Sequence, residues 1–246
     1  MSTSHIDLIT IDQGNTNPHV GVFVGNDLTK TVALNDFDSK LFNDHYVVLS
    51  SVGKKSNLPE LPKLVDIESL WDNHLFAGMT VNYSKEKLGR DRLYQLAYLY
   101  HEKVLKNQKP TLLIDAGTFI TIDILNAEGY QGGVILPGLS SLASLYPQGE
   151  QLPLVDASEF LEFKETHHDT ISAITGGVQH MILGAIRSLS LENQNIFLTG
   201  GLSIFVEKWL EVHPSLGEFE KDPHLIHKSL NYLGKLCLEK KEGDLQ

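Results

Sequence analysis

Two segments about a hundred residues apart share one pattern, and together they limit how this chain can fold. The first runs Ile9-Thr10-Ile11-Asp12-Gln13-Gly14-Asn15-Thr16. The second runs Leu113-Ile114-Asp115-Ala116-Gly117-Thr118-Phe119-Ile120-Thr121-Ile122-Asp123. In each, an apolar run delivers an Asp to its tip, Gly opens a tight turn, a hydroxyl residue follows, and a second apolar run leaves. Turn amides and a hydroxyl suit phosphate oxygens, and a neighbouring carboxylate suits a cation. Either segment alone also reads as a plain hairpin whose Asp and Asn cap a turn. Two copies point to duplicated halves that clamp a nucleotide's phosphates.

The chain is 246 residues long and 41% apolar, enough for one large domain or two small ones with buried cores. A net charge of −11 argues against nonspecific nucleic-acid binding, which needs a basic surface. The single cysteine, Cys237, removes any intrachain disulfide framework and reads as a buried thiol. No apolar run reaches the ~18 residues of a membrane span, and the N-terminal residues lack a basic region followed by an apolar stretch. A cytoplasmic protein that binds neither membrane nor nucleic acid is expected.

Strands are expected at residues 6–12, 19–24, 29–34 and 46–52. A helix over 91–105 follows from the spacing of Leu93, Leu96, Ala97, Tyr100 and Val104. The sequence Lys106-Asn107-Gln108-Lys109-Pro110 breaks that pattern and sets an expected boundary between domains 1–109 and 110–246. The second half repeats the plan. It has strands on both sides of the second turn, a glycine-rich strand ending at Pro137-Gly138, and a long amphipathic helix over 170–189. A strand over 195–198 leads into Gly200-Gly201, and a final helix spans 224–238.

Neither the Gly-x4-Gly-Lys-Ser/Thr loop nor a Gly-x-Gly-x-x-Gly opening a helix is present, so phosphate binding needs another architecture. Asp12, Gly14, Asn15 and Thr16 suit a first phosphate clamp, with the Asp12 carboxylate holding Mg2+. Gly89-Arg90-Asp91-Arg92 opens a helix, where Asp91 serves either as a cap or as a carboxylate kept ionised by two arginines to accept a hydroxyl proton. Gly200 and Gly201 let a ligand lie against backbone, or simply relieve a turn. The adjacent His167 and His168 point different ways, and His224 and His227 lack a third ligand, so a metal role is not assigned to them.

Taken in order, Asp12-x-Gly-Asn-Thr16, Gly89-x-Asp-Arg92, Asp115-x-Gly-Thr118 and Gly132-Gly-x-Ile-x-Pro-Gly138 resemble the type III pantothenate kinase family. So does Thr170-x-x-Ala173-Ile174-x-x-Gly177 followed by Gly200-Gly201. The resemblance implies an α/β fold of two ribonuclease-H-like domains, in the acetate kinase, Hsp70 and actin superfamily, with the nucleotide in a cleft between them. It implies a homodimer and ATP-dependent phosphorylation of pantothenate to 4′-phosphopantothenate, the first step of coenzyme A synthesis, with Mg2+ and a monovalent cation, K+ or NH4+. Carried onto this sequence, it makes Asp12, Gln13, Gly14, Asn15, Thr16, Asn17, Pro18 and His19 the ATP phosphate loop. Thr118 would touch ATP, and Asp115 would bind the monovalent cation. Gly89, Arg90, Asp91, Arg92 and Thr170 would contact pantothenate, with Asp91 accepting the proton of its primary hydroxyl.

Three positions depart from the family pattern. Asn17-Pro18-His19 replaces small or hydroxyl residues, and Pro18 removes an amide donor. Asn82 and Lys85 break a Tyr-x-Asn/Thr-Pro pattern, which leaves Tyr83 as the displaced substrate tyrosine. Arg90 stands where a small or apolar residue is common. Competing readings are a kinase of the same superfamily with another acceptor, a noncatalytic regulatory protein on the same scaffold, and an Hsp70-like ATPase, for which the chain lacks room.

Overall fold

The computed structural model describes residues 8–14, 18–52, 58, 60–149 and 151–243. Asn15, Thr16 and Asn17 of the expected phosphate loop lie outside the described residues. The chain forms two units, Met1–Glu102 with His224–Gln246, and Lys103–Pro223.

In the first unit, strands Leu8–Gln13 (β1), His19–Val24 (β2), Asp27–Ala33 (β3) and Tyr46–Ser51 (β4) form one sheet in the order β3-β2-β1-β4. The β1–β2 and β2–β3 pairs are antiparallel, and β1–β4 is parallel. Period-2 alternation gives β1 two different faces. Ile9 and Ile11 join Val20, Phe42 and Val47 in an apolar cluster. Leu8, Thr10 and Asp12 point the other way. A three-stranded meander follows, made of Trp71–Asp72 (β5), Leu75–Phe76 (β6) and Met79–Thr80 (β7). Helix Arg90–Leu99 (α1) runs through a π-helical turn, Tyr100–Val104, into the short Leu105–Asn107 (α2), which ends at Gln108 in the left-handed region, φ 53°.

In the second unit, Thr111–Ala116 (β8), Phe119–Asn126 (β9), Gly129–Pro137 (β10), Asn195–Thr199 (β11) and Phe219–Lys221 (β12) form a sheet in the order β10-β9-β8-β11-β12. Its first four strands repeat the order of the first sheet. The repeat extends to residue detail, since β1 and β8 carry the same burial pattern along six residues, with the Asp as the half-buried fifth. Helices Leu139–Ala143 (α3), Thr170–Leu189 (α4) and Ser203–Glu211 (α5) belong to this unit. α4 starts at a capping box in which Ser172 N donates to Asp169 Oδ1 (2.9 Å). Trp209, fully buried, donates from Nε1 to Phe160 O (2.7 Å), so its indole N–H is satisfied inside the core.

The partition differs from the expected one. The chain leaves the first unit inside the π turn, at Glu102, before the Lys-Pro break. The final helix, Leu225–Gly243 (α6), returns to the first unit, where it packs on α1, β1 and β4. The cause is its apolar stripe, which buries Leu230, Leu233 and Cys237, and Gly234, which lets the helix approach closely. A Cβ at Gly234 would lie 2.5 Å from Val48 Cγ2. Each unit is a ribonuclease-H-like α/β layer, the fold of the acetate kinase, Hsp70 and actin superfamily.

Candidate active site

The first turn leaves β1 and returns as β2 across one antiparallel pair, Asp12 opposite His19. The Asp12 side chain is 15% exposed, and its Oδ2 lies 3.8 Å from His19 Nδ1. On its other side Asp12 is in parallel register with Ser50 of β4, a fully buried hydroxyl residue. Gln13 is buried, with its Oε1 accepting from Ser51 Oγ (3.0 Å) and its carbonyl accepting from Val52 N (3.1 Å). Its side chain therefore ties the turn's first arm to β4. A Cβ at Gly14 would lie 3.9 Å from Asp12 Oδ2, an ordinary contact, so packing alone does not demand glycine there. Pro18 O accepts from Leu34 N (2.9 Å), which anchors the second arm. Pro18 and His19 line a cavity of about 420 Å³ with residues 31–35. Burial, and next the charge of His224, hold His19 below the usual imidazole pKa, so it is neutral at pH 7.

Asp91 sits in the first turn of α1, where a carboxylate complements the helix dipole. Its Oδ1 accepts from Arg92 N (2.8 Å). Gly89 makes this possible, because a Cβ there would lie 2.7 Å from the same oxygen. The capping and acceptor readings of Asp91 are thus compatible, since one oxygen meets the helix end. Arg92 is buried. Arg90 is committed elsewhere: its Nε pairs with Glu68 Oε1 (2.8 Å), and its guanidinium donates to Lys85 O (2.7 Å) and Leu88 O (3.3 Å). Tyr94 OH also donates to Glu68 Oε1 (2.6 Å), so Glu68 clasps the start of α1. Tyr83 is 43% exposed.

In the second unit, Asp115 is opposite Thr121 on β9 and in parallel register with Thr199 on β11. A hydroxyl residue beside each turn carboxylate, Ser50 and Thr199, is a feature the sequence reading missed. The signal was a hydroxyl residue at or next to the end of each buried strand. Gly117 N donates to Phe119 O (2.9 Å), and Gly138 N to Thr118 O (3.1 Å), which closes the second turn against the start of α3 and leaves Thr118 exposed. Gly200 has φ +91°, and a Cβ there would lie 2.5 Å from both Asp115 Oδ1 and Ala116 O. Glycine at 200 therefore keeps both oxygens clear of a side chain. Gly201 has open space around it. Thr170, exposed, is the first residue of α4.

Asp12 and Asp91 thus belong to the first unit, and Asp115, Thr118, Thr170 and Gly200 to the second. Among the described residues no group of three or more His, Cys, Asp or Glu side chains forms a metal centre. A Mg2+ ion at Asp12 would accordingly be held by that carboxylate together with nucleotide phosphates, the usual habit of this ion. No helix among the described residues is long and apolar enough to cross a membrane.

Similar proteins share this fold and this sequence family. Among solved structures, a Campylobacter jejuni protein described as a conserved candidate Baf family transcriptional activator superposes with a TM-score of 0.65 at 20% identity. It covers 94% of this chain and 99% of its own. Component A of (R)-2-hydroxyglutaryl-CoA dehydratase from Acidaminococcus fermentans gives 0.54 at 13% identity, covering 95% and 99%. These two share the fold. In sequence, the type III pantothenate kinase of Azobacteroides pseudotrichonymphae is 31% identical over 244 residues, 91% of this chain and 94% of that protein. The enzyme of the same name from Chlorobium luteolum is 28% identical over 95% of both chains. The family model for type III pantothenate kinase matches residues 8–191, a span that holds Asp12, Asp91, Asp115 and Thr170. This chain belongs to the type III pantothenate kinase family.

Proposed function

We propose that this protein transfers the γ-phosphoryl group of ATP to the primary hydroxyl of pantothenate, yielding 4′-phosphopantothenate and ADP. The observation that carries the reading is the family match over residues 8–191, a span that includes the three acidic positions Asp12, Asp91 and Asp115. Asp12 through His19 form the ATP phosphate loop, and Thr118, Gly200 and Gly201 contact ATP as well. Asp91 takes the proton as the hydroxyl oxygen forms its bond to the γ-phosphorus and the bond to the β–γ bridging oxygen breaks. Gly89, Arg90, Arg92, Thr170 and Tyr83 are the residues assigned to contact with pantothenate. Arg90, through Glu68, braces the start of α1 so that Asp91 is presented in one place.

Asp12 would hold Mg2+, and Asp115 would hold K+ or NH4+. Bound cations of this kind neutralise phosphate charge during transfer. The rate enhancement then rests on positioning rather than on covalent catalysis. The exposed apolar side chains of Leu152, Leu154, Ile171 and Met181 in the second unit support self-association as a homodimer. The acidic net charge speaks against nonspecific nucleic-acid binding.

The deciding experiment is a coupled assay of ADP release with pantothenate and a panel of other small alcohols, with and without K+. Turnover confined to pantothenate supports the reading. Turnover with a different alcohol would replace the acceptor, leaving a kinase of the same superfamily. The description of the Campylobacter jejuni relative favours one second reading, a noncatalytic regulator. ATP binding without turnover of any acceptor would be its result.

A further inference from the structure

The face of β1 that carries Asp12 is not covered by apolar side chains alone. α6 lays His227 on it, 1% exposed, and that residue lies outside every motif shared with the family. His227 Nδ1 is 2.7 Å from Thr10 Oγ1. The same hydroxyl has Gly21 O within donating reach (3.2 Å), and when that bond is made it accepts from the imidazole in the Nδ1–H tautomer. Thr10 and Gly21 face one another across the β1–β2 ladder, one pair behind Ile11 and Val20 and two behind Asp12 and His19. Gly21 is there because the ring is there: a Cβ would lie 2.7 Å from Thr10 Oγ1 and 2.8 Å from His227 Nδ1. The His227 ring also meets the His19 ring, with centroids 5.3 Å apart, and His19 Nδ1 is the group 3.8 Å from Asp12 Oδ2. His227 Nε2 and His19 Nδ1 are both buried without a hydrogen-bond partner among the described residues.

We propose that His227 is a positioning residue for the first phosphate turn: through Thr10 and the ring of His19 it holds both arms of the turn, and so the Asp12 carboxylate, in the geometry that receives MgATP. This deepens the reading of the protein as an ATP-dependent kinase and rests on it. The imidazole acts as a neutral hydrogen-bonding wedge. Burial, with the charges of His19 and His224 second and third, pushes His227 down to about 3, so it does not need to change charge in the working range. An apolar residue in its place would fill the volume but leave the Thr10 hydroxyl without its donor. The device makes the C-terminal helix a part of the nucleotide site.

The test compares His227→Ala, His227→Asn and Thr10→Val with the parent chain, measuring MgATP affinity by calorimetry and the KM values for ATP and pantothenate separately. An asparagine amide can place an N–H where Nδ1–H stood. His227→Ala should weaken MgATP about tenfold while the pantothenate KM stays within about twofold, and His227→Asn should recover most of the loss. Thr10→Val, which removes the acceptor from the strand side, should reproduce the loss if His227→Ala does not fold. Nitrogen NMR of the nucleotide-free parent should show His227 as the neutral Nδ1–H tautomer. The proposal is overturned by parental MgATP affinity in His227→Ala or Thr10→Val, by an asparagine variant as weak as the alanine one, or by the Nε2–H tautomer. A parent that binds MgATP yet phosphorylates no pantothenate defeats the kinase reading alone, and the variants' MgATP affinities still decide the role of His227.

Discussion

Gly200 and Gly201 are adjacent, and the structure assigns them opposite sensitivities. Gly200 sits at φ +91°, a region in which side chains cost about 1–2 kcal/mol through the clash of Cβ with the backbone. Its absent Cβ would also fall 2.5 Å from the Ala116 carbonyl oxygen, which is already bonded to Leu202 N (2.8 Å), and 2.5 Å from Asp115 Oδ1. A backbone oxygen cannot swing aside as a flexible side chain can, so relieving the overlap costs roughly another 1–2 kcal/mol. Gly200→Ala should therefore lose about 2–4 kcal/mol of stability in urea unfolding, with the slope of the transition unchanged. Gly201→Ala, with nothing near its Cβ, should stay within about 0.5 kcal/mol of the parent. Because the overlap involves the Asp115 carboxylate, Gly200→Ala should also blunt activation by K+, measured as the rate against K+ concentration. Equal stabilities for the two variants would refute the reasoning. So would a destabilised Gly200→Ala with a parental K+ curve, which would detach the turn from the cation.

Asp91→Asn should lower kcat by at least about a hundredfold while leaving ATP binding within about twofold, checked by calorimetry beside the coupled assay. Full activity would remove Asp91 from the proton-accepting role. Asp115→Ala should flatten the dependence of rate on K+, and an activation curve shared with the parent would cancel the cation assignment. The buried His227 makes stability sensitive to acid. Its folded pKa of about 3 lies below the ordinary 6.5, so the unfolded chain binds the extra proton between those values. The contribution is complete above about pH 6.5 and is lost as pH falls toward 3, by about 2 kcal/mol between pH 7 and pH 5. Urea unfolding of the parent and His227→Asn at both pH values checks this, and the same drop in both chains would exclude His227 as its source.

Much of the site was legible from local pattern. An apolar run ending in Asp-x-Gly can hardly be anything but a strand entering a turn, and both β1 and β8 end that way. The helical spacing after Asp91 likewise predicted α1, although the π turn at Tyr100–Val104 interrupts the regular helix in a way that residue spacing does not mark. The meander of β5, β6 and β7 went unread, because two-residue strands carry no periodicity. Arg90 was expected to flank Asp91 as a charge partner. Its long side chain instead reaches Glu68, a residue that neither spacing nor motif links to it.

The order of motifs along the chain settled by itself which family this is, and the strand-and-turn chemistry of Asp12 and Asp115 follows from residues adjacent in sequence. Tertiary structure alone decided what stands beside them. Ser50 and Thr199 stand in register beside Asp12 and Asp115 through parallel strand pairing, and Gly200 reaches Asp115 through the path of the chain after β11. α6 crosses back to the first unit to set His227 on Thr10, 217 positions away in sequence. Periodicity reports which face of an element is apolar, and that is a local property. Which partner covers the face depends on contacts between segments far apart in sequence, whose free energy exists only after the chain has closed the loops between them.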